Sequence, residues 1–150
     1  MSQALQEVAS LDWSLSDPTL LKTQAYINGE WVDADSGATF KVLNPATHEV
    51  VAEVADCGAD ETRRAIEAAE VARKDWAAKT AMERSAVLRK WNDLILENLD
   101  DLGILMTVEQ GKILAEAKGE VAYAASFIEW FAEEGKRVYG DVLPQPFADR

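Results

Sequence analysis

The sequence predicts a chain of the α/β class, in which a small antiparallel β element is followed by four helices. Up to about residue 54 the apolar residues follow a period of two, and Asn28-Gly29 interrupts them at a position typical of a hairpin turn. From Gly58 onward the period changes to three or four, which indicates amphipathic helices. A free-standing α+β domain would show the same pattern, so the fold class alone does not indicate a function.

The β element is predicted over residues 25–55. Asn-Gly within Tyr26-Ile27-Asn28-Gly29-Glu30-Trp31-Val32 fits a two-residue type I′ turn, because both central positions need a positive φ. The other elements are a turn at Ser36-Gly37, a strand at residues 39–42, a break at Asn44-Pro45-Ala46-Thr47 and a strand at residues 50–54. Residues 1–24 show no clear period and are predicted to form a loosely docked extension.

Three of the predicted helices begin at a recognisable signal. Asp60 and Glu61 lie in the first turn of the first helix, where the helix dipole favours acidic side chains. Thr80 and Glu83 form a capping-box pattern that begins the second helix. Asn98 is predicted to cap the start of a short third helix.

The four helices are predicted to span about residues 59–138. Gly111 is placed to end the third helix, and the fourth and longest runs from about residue 114 to about residue 138. The positions predicted to face a core are Ile66, Ala69, Ala72 and Trp76 on the first helix, Val87, Leu88, Trp91, Leu94 and Ile95 on the second, and Leu102, Leu105 and Met106 on the third.

Charge and composition exclude several classes of function. The formal net charge of −12 argues against a nucleic-acid partner, because phosphate binding requires clustered Lys and Arg and the 15 basic residues are scattered. The single cysteine, Cys57, cannot form an internal disulfide and fits a reducing compartment. No apolar run approaches the roughly 20 residues of a membrane helix, and the N-terminus lacks the basic region of a secretory signal. We therefore expect a cytoplasmic protein that binds neither membranes nor nucleic acid.

Reactive side chains are few, and each has a simpler structural interpretation. His48 is the only histidine and lies in a turn, so a triad or a zinc site based on it lacks companions. Cys57 precedes Gly58 at a helix start, but without a basic partner we expect a half-buried loop residue and not a nucleophile. Glu116 and Glu120 share a helix face and could hold a cation, although such pairs are usually solvated. The sequence contains no glycine-rich phosphate loop.

One block in the last third of the chain carries a family signal. It comprises Glu109-Gln110-Gly111-Lys112, Leu114-Ala115-Glu116-Ala117-Lys118-Gly119-Glu120, Tyr123-Ala124-Ala125-Ser126-Phe127-Ile128-Glu129-Trp130-Phe131-Ala132-Glu133-Glu134-Gly135-Lys136-Arg137 and Tyr139-Gly140-Asp141. This block closely resembles the aldehyde dehydrogenase superfamily, specifically its succinate-semialdehyde dehydrogenase branch. The hairpin at residues 26–32, the turn at residues 44–47 and the helix start at residues 58–62 resemble the same family in the same order, so the resemblance covers about residues 20–150.

The resemblance implies the fold and the chemistry of a larger enzyme. Full-length members have an aldehyde dehydrogenase-like fold, oxidise a small-molecule aldehyde through a cysteine thiohemiacetal, pass hydride to NAD or NADP, and hydrolyse the thioester with help from a glutamate. These groups are expected downstream, so this segment should contain no catalytic and no cofactor-binding residue and should be inactive alone. The implied substrate is succinate semialdehyde, oxidised to succinate, and the choice between NAD and NADP stays open.

By resemblance, the longest helix lines the wall of the substrate tunnel at Gly119, Tyr123 and Phe127. These positions are spaced i, i+4, i+8 and so share a helix face, where they would narrow the channel and exclude water. The alternative is that the two aromatic rings pack in the core. Some relatives also bind a structural cation through an acidic residue matching Glu109 and a carbonyl near Leu43, and a local cap or salt bridge of Glu109 is the alternative there.

The resemblance also implies assembly. Residues 141–150 resemble the start of an arm that crosses to another subunit, so residues 25–150 are expected to be a truncated part of an enzyme that forms a homodimer or homotetramer. Apolar residues on the first two helices would then be uncovered and would favour aggregation. Two further alternatives are open: a non-catalytic helical interaction module, and a dehydrogenase for another semialdehyde such as glutarate semialdehyde.

Overall fold

The computed structural model describes residues 13–148, in which the strands precede the helices. The elements are a 3-10 turn at Pro18–Leu20, then β1 (Ala25–Ile27), β2 (Glu30–Val32), β3 (Thr39–Leu43), β4 (Val50–Ala55), α1 (Ala59–Ala78), α2 (Ala81–Glu97), α3 (Leu99–Gln110) and α4 (Leu114–Glu134). The strands form two antiparallel pairs, β1 with β2 and β3 with β4. This order confirms the predicted small antiparallel β element followed by four helices.

The first strand pair is closed by the predicted type I′ turn. Asn28 and Gly29 have φ values of 52° and 86°, in the left-handed region that bulky residues avoid. The turn places Tyr26 opposite Trp31, and the centroids of the two rings are 5.1 Å apart. The Asn-Gly dipeptide therefore sets the register of this pair.

The second strand pair has a register shift between Val42 and Leu43, just before its turn. Asn44 closes that turn in two ways. Its side-chain Oδ1 accepts the backbone amide of Ala46 at 2.9 Å, and its own amide donates to the carbonyl of Glu49 at 2.9 Å. The predicted break at residues 44–47 is thus a hydrogen-bonded turn.

Glu61 joins α1 to the loop between the two strand pairs. Its Oε2 accepts the amide of Gly58 at 2.9 Å, and its Oε1 accepts the amide of Asp35 at 2.7 Å. Asp35 in turn forms two hydrogen bonds with the guanidinium of Arg64, at 2.7 and 2.8 Å. Backbone amides donate these hydrogen bonds to the Glu61 carboxylate and hold its pKa below the usual range, and the bond from Asp35 contributes most. These contacts attach the start of α1 to the β element.

The core lies where α4 packs against α2 and α3. Its buried apolar residues are Leu105 and Val108 on α3 and Ala117, Val121, Ala125 and Ala132 on α4. Small residues allow the helices to approach closely. A Cβ atom at Gly103 of α3 would lie only 2.7 Å from Cγ of Lys118 on α4. The predicted core positions on α3 are confirmed, since Leu105 is buried and Leu102 and Met106 are half-buried.

The predicted core face of α1 is uncovered in the described residues, in line with the expectation that apolar residues on the first two helices are exposed here. Ile66, Ala69, Ala72 and Trp76 are all exposed, Ile66 at 65% and Trp76 at 38%. The strand β1 is the element that contacts α1 most, and it leaves these side chains accessible. Apolar periodicity identifies a face of the helix, but it does not supply the element that covers that face.

The predicted stripe of α2 is divided between two adjacent faces. Leu88 and Ile95 are half-buried, whereas Val87, Trp91 and Leu94 are exposed. The face with Leu88 and Ile95 also carries two buried polar residues, Ser85 and Asn92. None of the helices within residues 13–148 is apolar over a sufficient length to cross a membrane.

Two predicted helix ends differ from the structure. Asn98 precedes α3, but its backbone is not extended and its side chain donates to the carbonyl of Leu94 at 2.8 Å, so it caps the end of α2 instead. The last helix ends at Glu134 and not near residue 138, because Gly135 follows and tight turns replace the helical bonding. Gly111 ends α3 with a φ of 75°, as predicted.

Part of the N-terminal segment, predicted as a loosely docked extension over residues 1–24, is attached to α3 by two hydrogen bonds. The amides of Ser16 and Asp17 donate to the two carboxylate oxygens of Asp101 at 2.9 and 2.8 Å. Asp101 lies in the first turn of α3 and is only 4% exposed. Residues 1–12 of the predicted extension lie outside the described residues.

Candidate functional site

The outer face of α4 carries the residues predicted to line a substrate channel. Tyr123 is 65% exposed and Phe127 is 47% exposed, and their rings meet edge to face with centroids 4.8 Å apart. Gly119 lies one turn earlier, and a Cβ atom there would have no heavy atom within 4 Å. The structure thus brings the two rings together at the surface and leaves open space beside Gly119.

Tyr123 and Phe127 belong to an open groove of about 650 Å³ along α4. Its lining residues are Tyr123, Ser126, Phe127, Glu129, Trp130, Phe131, Glu133, Glu134 and Arg137. Glu133 pairs with Arg89 and, at 2.7 Å, with Lys136. The hydrogen bonds from Lys136 and then Arg89 hold the pKa of Glu133 below its usual range. The groove therefore combines aromatic walls with an ionised carboxylate whose charge is compensated by two cations.

The opposite face of α4 is attached to α2 through a buried polar contact. Asn92 is 8% exposed, and its Nδ2 donates to the backbone carbonyl of Ala125 at 2.9 Å. Sequence reasoning missed this residue. The available signal was an amide side chain located between Leu88 and Ile95, one turn from each.

The two residues of the predicted cation site lie on segments that approach each other. Gly111, two residues after Glu109, packs so closely on Pro45, two residues after Leu43, that a Cβ atom would lie 2.9 Å from Cγ of the proline. Glu109 and Leu43 are both exposed. No group of three or more His, Cys, Asp or Glu side chains that could hold a metal ion occurs in residues 13–148.

The remaining reactive residues occupy structural positions. His48 is exposed in the β3–β4 turn with a φ of 63°. Cys57 is half-buried, and desolvation followed by the charge of Glu61 raises its pKa, which opposes formation of a thiolate. Glu120 forms an ion pair with Lys112, so the Glu116/Glu120 face is partly neutralised.

Known proteins match this chain over most of its length. A sequence model of the aldehyde dehydrogenase family matches residues 31–150. The chain is 66% identical over 130 residues to glutarate-semialdehyde dehydrogenase of Pseudomonas putida, an alignment that covers 87% of the chain and 27% of the relative. It is 57% identical over 136 residues to succinate-semialdehyde dehydrogenase [NADP(+)] GabD of Escherichia coli, covering 91% of the chain and 28% of the relative.

The fold is likewise similar to a solved structure. The crystal structure of succinate-semialdehyde dehydrogenase from Burkholderia pseudomallei aligns with a TM-score of 0.86 at 63% identity, covering 91% of this chain and 28% of that chain. The chain thus spans little more than a quarter of the length of these relatives. Since the family match extends over residues 31–150 and the helices and strands superpose on a solved member, this chain belongs to the aldehyde dehydrogenase family.

Proposed function

We propose that this chain is the N-terminal part of an NAD(P)-dependent semialdehyde dehydrogenase, and that the complete enzyme oxidises succinate semialdehyde to succinate. The observation that carries the proposal is the exposed aromatic face of α4, in a segment 57% identical to the Escherichia coli succinate-semialdehyde dehydrogenase. Glutarate semialdehyde is the second candidate, because identity to the Pseudomonas putida glutarate-semialdehyde dehydrogenase is 66%. The two substrates differ by one methylene group, which a pocket distinguishes by only about 1–3 kcal/mol.

In this proposal Tyr123 and Phe127 form one wall of the substrate channel. The carbon chain of the aldehyde packs on the exposed rings, whose edge-to-face contact holds each in one orientation. The rest of the enzyme covers the groove and excludes water from the aldehyde carbonyl. Gly119 leaves room at a place where any side chain would narrow the channel.

The bond-making groups are assigned to the remainder of the enzyme. Oxidation of an aldehyde by hydride transfer needs a nucleophile, donors that stabilise an oxyanion, and a nicotinamide that accepts the hydride. Cys57 does not fit the nucleophile, because its pKa is raised. A dinucleotide does not fit the helix starts either, because each of α1 to α4 carries an acidic residue in its first turn, which opposes a pyrophosphate.

We also propose that Glu109 and the carbonyl of Leu43 bind a structural cation. The close packing of Gly111 on Pro45 supports it, because it brings the two segments together. Two oxygen donors are fewer than the roughly six to eight that a calcium ion takes, so water would complete the shell. The melting temperature should rise with added K⁺, Mg²⁺ or Ca²⁺ and should respond less in Glu109→Gln. An equal response in both proteins would contradict this site.

The complete enzyme is further proposed to be a homodimer or homotetramer. The segment after α4 exposes Val142 at 95% and Leu143 at 86%. Neighbouring apolar side chains as exposed as these are commonly covered by a partner surface. Light scattering coupled to size-exclusion chromatography measures the mass directly, and a monomeric complete enzyme would contradict the proposed assembly.

The proposed function is tested by assaying two proteins side by side: the product of the complete reading frame and the 150-residue chain. Each receives succinate or glutarate semialdehyde with NAD⁺ or NADP⁺, and the reduced nicotinamide is followed by absorbance. Turnover by the complete product and none by the chain supports the proposal, and the kcat/KM values rank the substrates and the cofactors. Turnover by the isolated 150-residue chain contradicts the proposal. No turnover by the complete product favours the alternative of a non-catalytic helical interaction module.

A further inference from the structure

The two faces of α4 are opposed, so the rotation of this helix determines what the channel wall presents. Tyr123 lies two positions from both Val121 and Ala125, and two positions along a helix correspond to about 200° of rotation. Val121 and Ala125 are buried, at 6% and 1% exposure, whereas Tyr123 is 65% exposed. A rotation that shifts the buried face therefore shifts the channel residues by the same angle.

The apolar packing on the buried side of α4 includes no directional contact. The buried residues of α4 are Ala117, Val121, Ala125 and Ala132, which present a nearly uniform surface of small side chains. Small side chains of this kind allow the helices to approach closely, but a polar contact is needed to favour one rotation by hydrogen bonding. The ion pairs Arg89–Glu133 and Lys118–Asp100 also join α4 to its neighbours, but their side chains are partly exposed, and such pairs contribute little.

Asn92 supplies the directional contact on the buried side. Its Nδ2 donates to the Ala125 carbonyl at 2.9 Å, and a helical carbonyl has a second lone pair for such a donor. A single buried asparagine between helices is known to fix their register at some cost in stability. If α4 rotated without shifting along its axis, the Ala125 carbonyl would move away from Nδ2 of Asn92, and the buried amide would lose its acceptor, which is unfavourable.

We propose that Asn92 is a positioning residue for the substrate channel. Through its hydrogen bond to Ala125 it holds α4 in the rotation that presents Tyr123 and Phe127 to the aldehyde. Asn92 thereby affects how well the enzyme distinguishes one aldehyde from another, and it takes no part in making or breaking bonds. This inference rests on the proposed function, because the channel is part of it.

The test compares Asn92→Leu with Asn98→Leu in the product of the complete reading frame. Each variant removes a side-chain amide that donates to a helix carbonyl, but the Asn98 amide bonds to Leu94 in its own helix and does not reach α4. The readout is the kcat/KM for succinate semialdehyde divided by the kcat/KM for acetaldehyde. The fraction of folded enzyme cancels from this ratio, so a loss of stability alone leaves it unchanged.

Asn92→Leu is expected to lower the ratio about fivefold, the size of effect that one buried hydrogen bond supplies. Asn98→Leu should leave the ratio at the wild-type value, and Phe127→Ala should lower it. In the double variant Asn92→Leu/Phe127→Ala the two effects should be less than multiplicative, because both act through the same wall. If Asn92→Leu does not fold, Asn92→Ala removes the donor without adding volume and is measured in the same way.

The outcomes separate the two proposals. A wild-type ratio in Asn92→Leu, together with a lowered ratio in Phe127→Ala, overturns the role of Asn92 and leaves the proposed function intact. A wild-type ratio in Phe127→Ala overturns the channel wall and, with it, the role of Asn92. Absence of semialdehyde turnover by the wild-type complete product overturns both.

Discussion

The carboxylate of Asp101 accepts the backbone amide of Ser16 at 2.9 Å, although the two residues lie 85 positions apart in the chain. Its second oxygen accepts the amide of Asp17 at 2.8 Å. Both donors are backbone groups, which must find acceptors when water is excluded. One side chain at the start of α3 thus replaces the strand or helix partner that this segment lacks.

Asp101→Asn is expected to loosen the segment around residue 16, because an amide side chain keeps one acceptor oxygen and loses the other. The amides of Ser16 and Asp17 should then exchange their hydrogens faster, as measured by NMR or mass spectrometry. Asp100→Asn is the matched control, since Asp100 is exposed and pairs with Lys118 instead. Equal exchange in wild type and Asp101→Asn would show that the contact does not hold the segment.

The same contact predicts a dependence of stability on pH. Hydrogen bonds from the amides of Asp17 and then Ser16 hold the pKa of Asp101 below its usual range. A carboxyl group with a lowered folded-state pKa stabilises the fold above its unfolded pKa of about 3.9, and this contribution is lost as the pH falls through the folded value. We expect the free energy of unfolding to decrease below about pH 4, and to decrease less in Asp101→Asn. Identical acid titrations of the two proteins would contradict this.

Two glycine substitutions are expected to have opposite effects on stability. Gly111→Ala should lower the free energy of unfolding by about 1–2 kcal/mol or more, since φ is 75° and the new Cβ would lie 2.9 Å from Pro45. Gly119→Ala should raise it by up to about 1 kcal/mol, because a Cβ in that helical position meets no atom within 4 Å. Urea unfolding measures both free energies. If both substitutions stabilised the fold, or both destabilised it, the difference drawn here between the two glycines would be wrong.

Cys57 is expected to react slowly with thiol reagents. Desolvation and the nearby carboxylate of Glu61 raise its pKa, so less thiolate is present at neutral pH than in an unstructured peptide. The rate of reaction with a chromogenic disulfide should be below that of a cysteine peptide at the same pH. Cys57→Ser should leave the proposed semialdehyde turnover of the complete product unchanged, and loss of turnover would mean that Cys57 takes part in the chemistry.

The exposed apolar face of α2 should make the isolated chain self-associate. Val87, Trp91 and Leu94 are exposed at 51%, 55% and 44% and lie on one side of the helix. The double substitution Val87→Lys/Trp91→Lys should reduce light scattering by the chain at equal concentration. Asp93→Lys alters the net charge by the same amount from another side of this helix, where Asp93 is exposed, so an equal reduction there would assign the effect to net charge.

Short-range signals determined most of the secondary structure. Asn28-Gly29 specifies its hairpin, Thr80 and Glu83 cap α2 through mutual hydrogen bonds, and Gly111 ends α3. Each of these interactions joins residues a few positions apart, so the residue types alone are sufficient to predict it. The family was also evident from the sequence, because ordered agreement over a long segment needs no knowledge of packing.

Only the tertiary structure decided which side chains are covered. Asp100 and Asp101 are the same residue type in neighbouring positions, yet Asp100 is exposed and Asp101 is buried beneath a distant segment. Ile66 lies on the apolar face of α1 and is exposed, whereas polar Asn92 is buried against α4. Periodicity reports the direction of each side chain along its own helix. Burial depends on a second element, here as far as 85 positions away, and that information is absent from any local pattern.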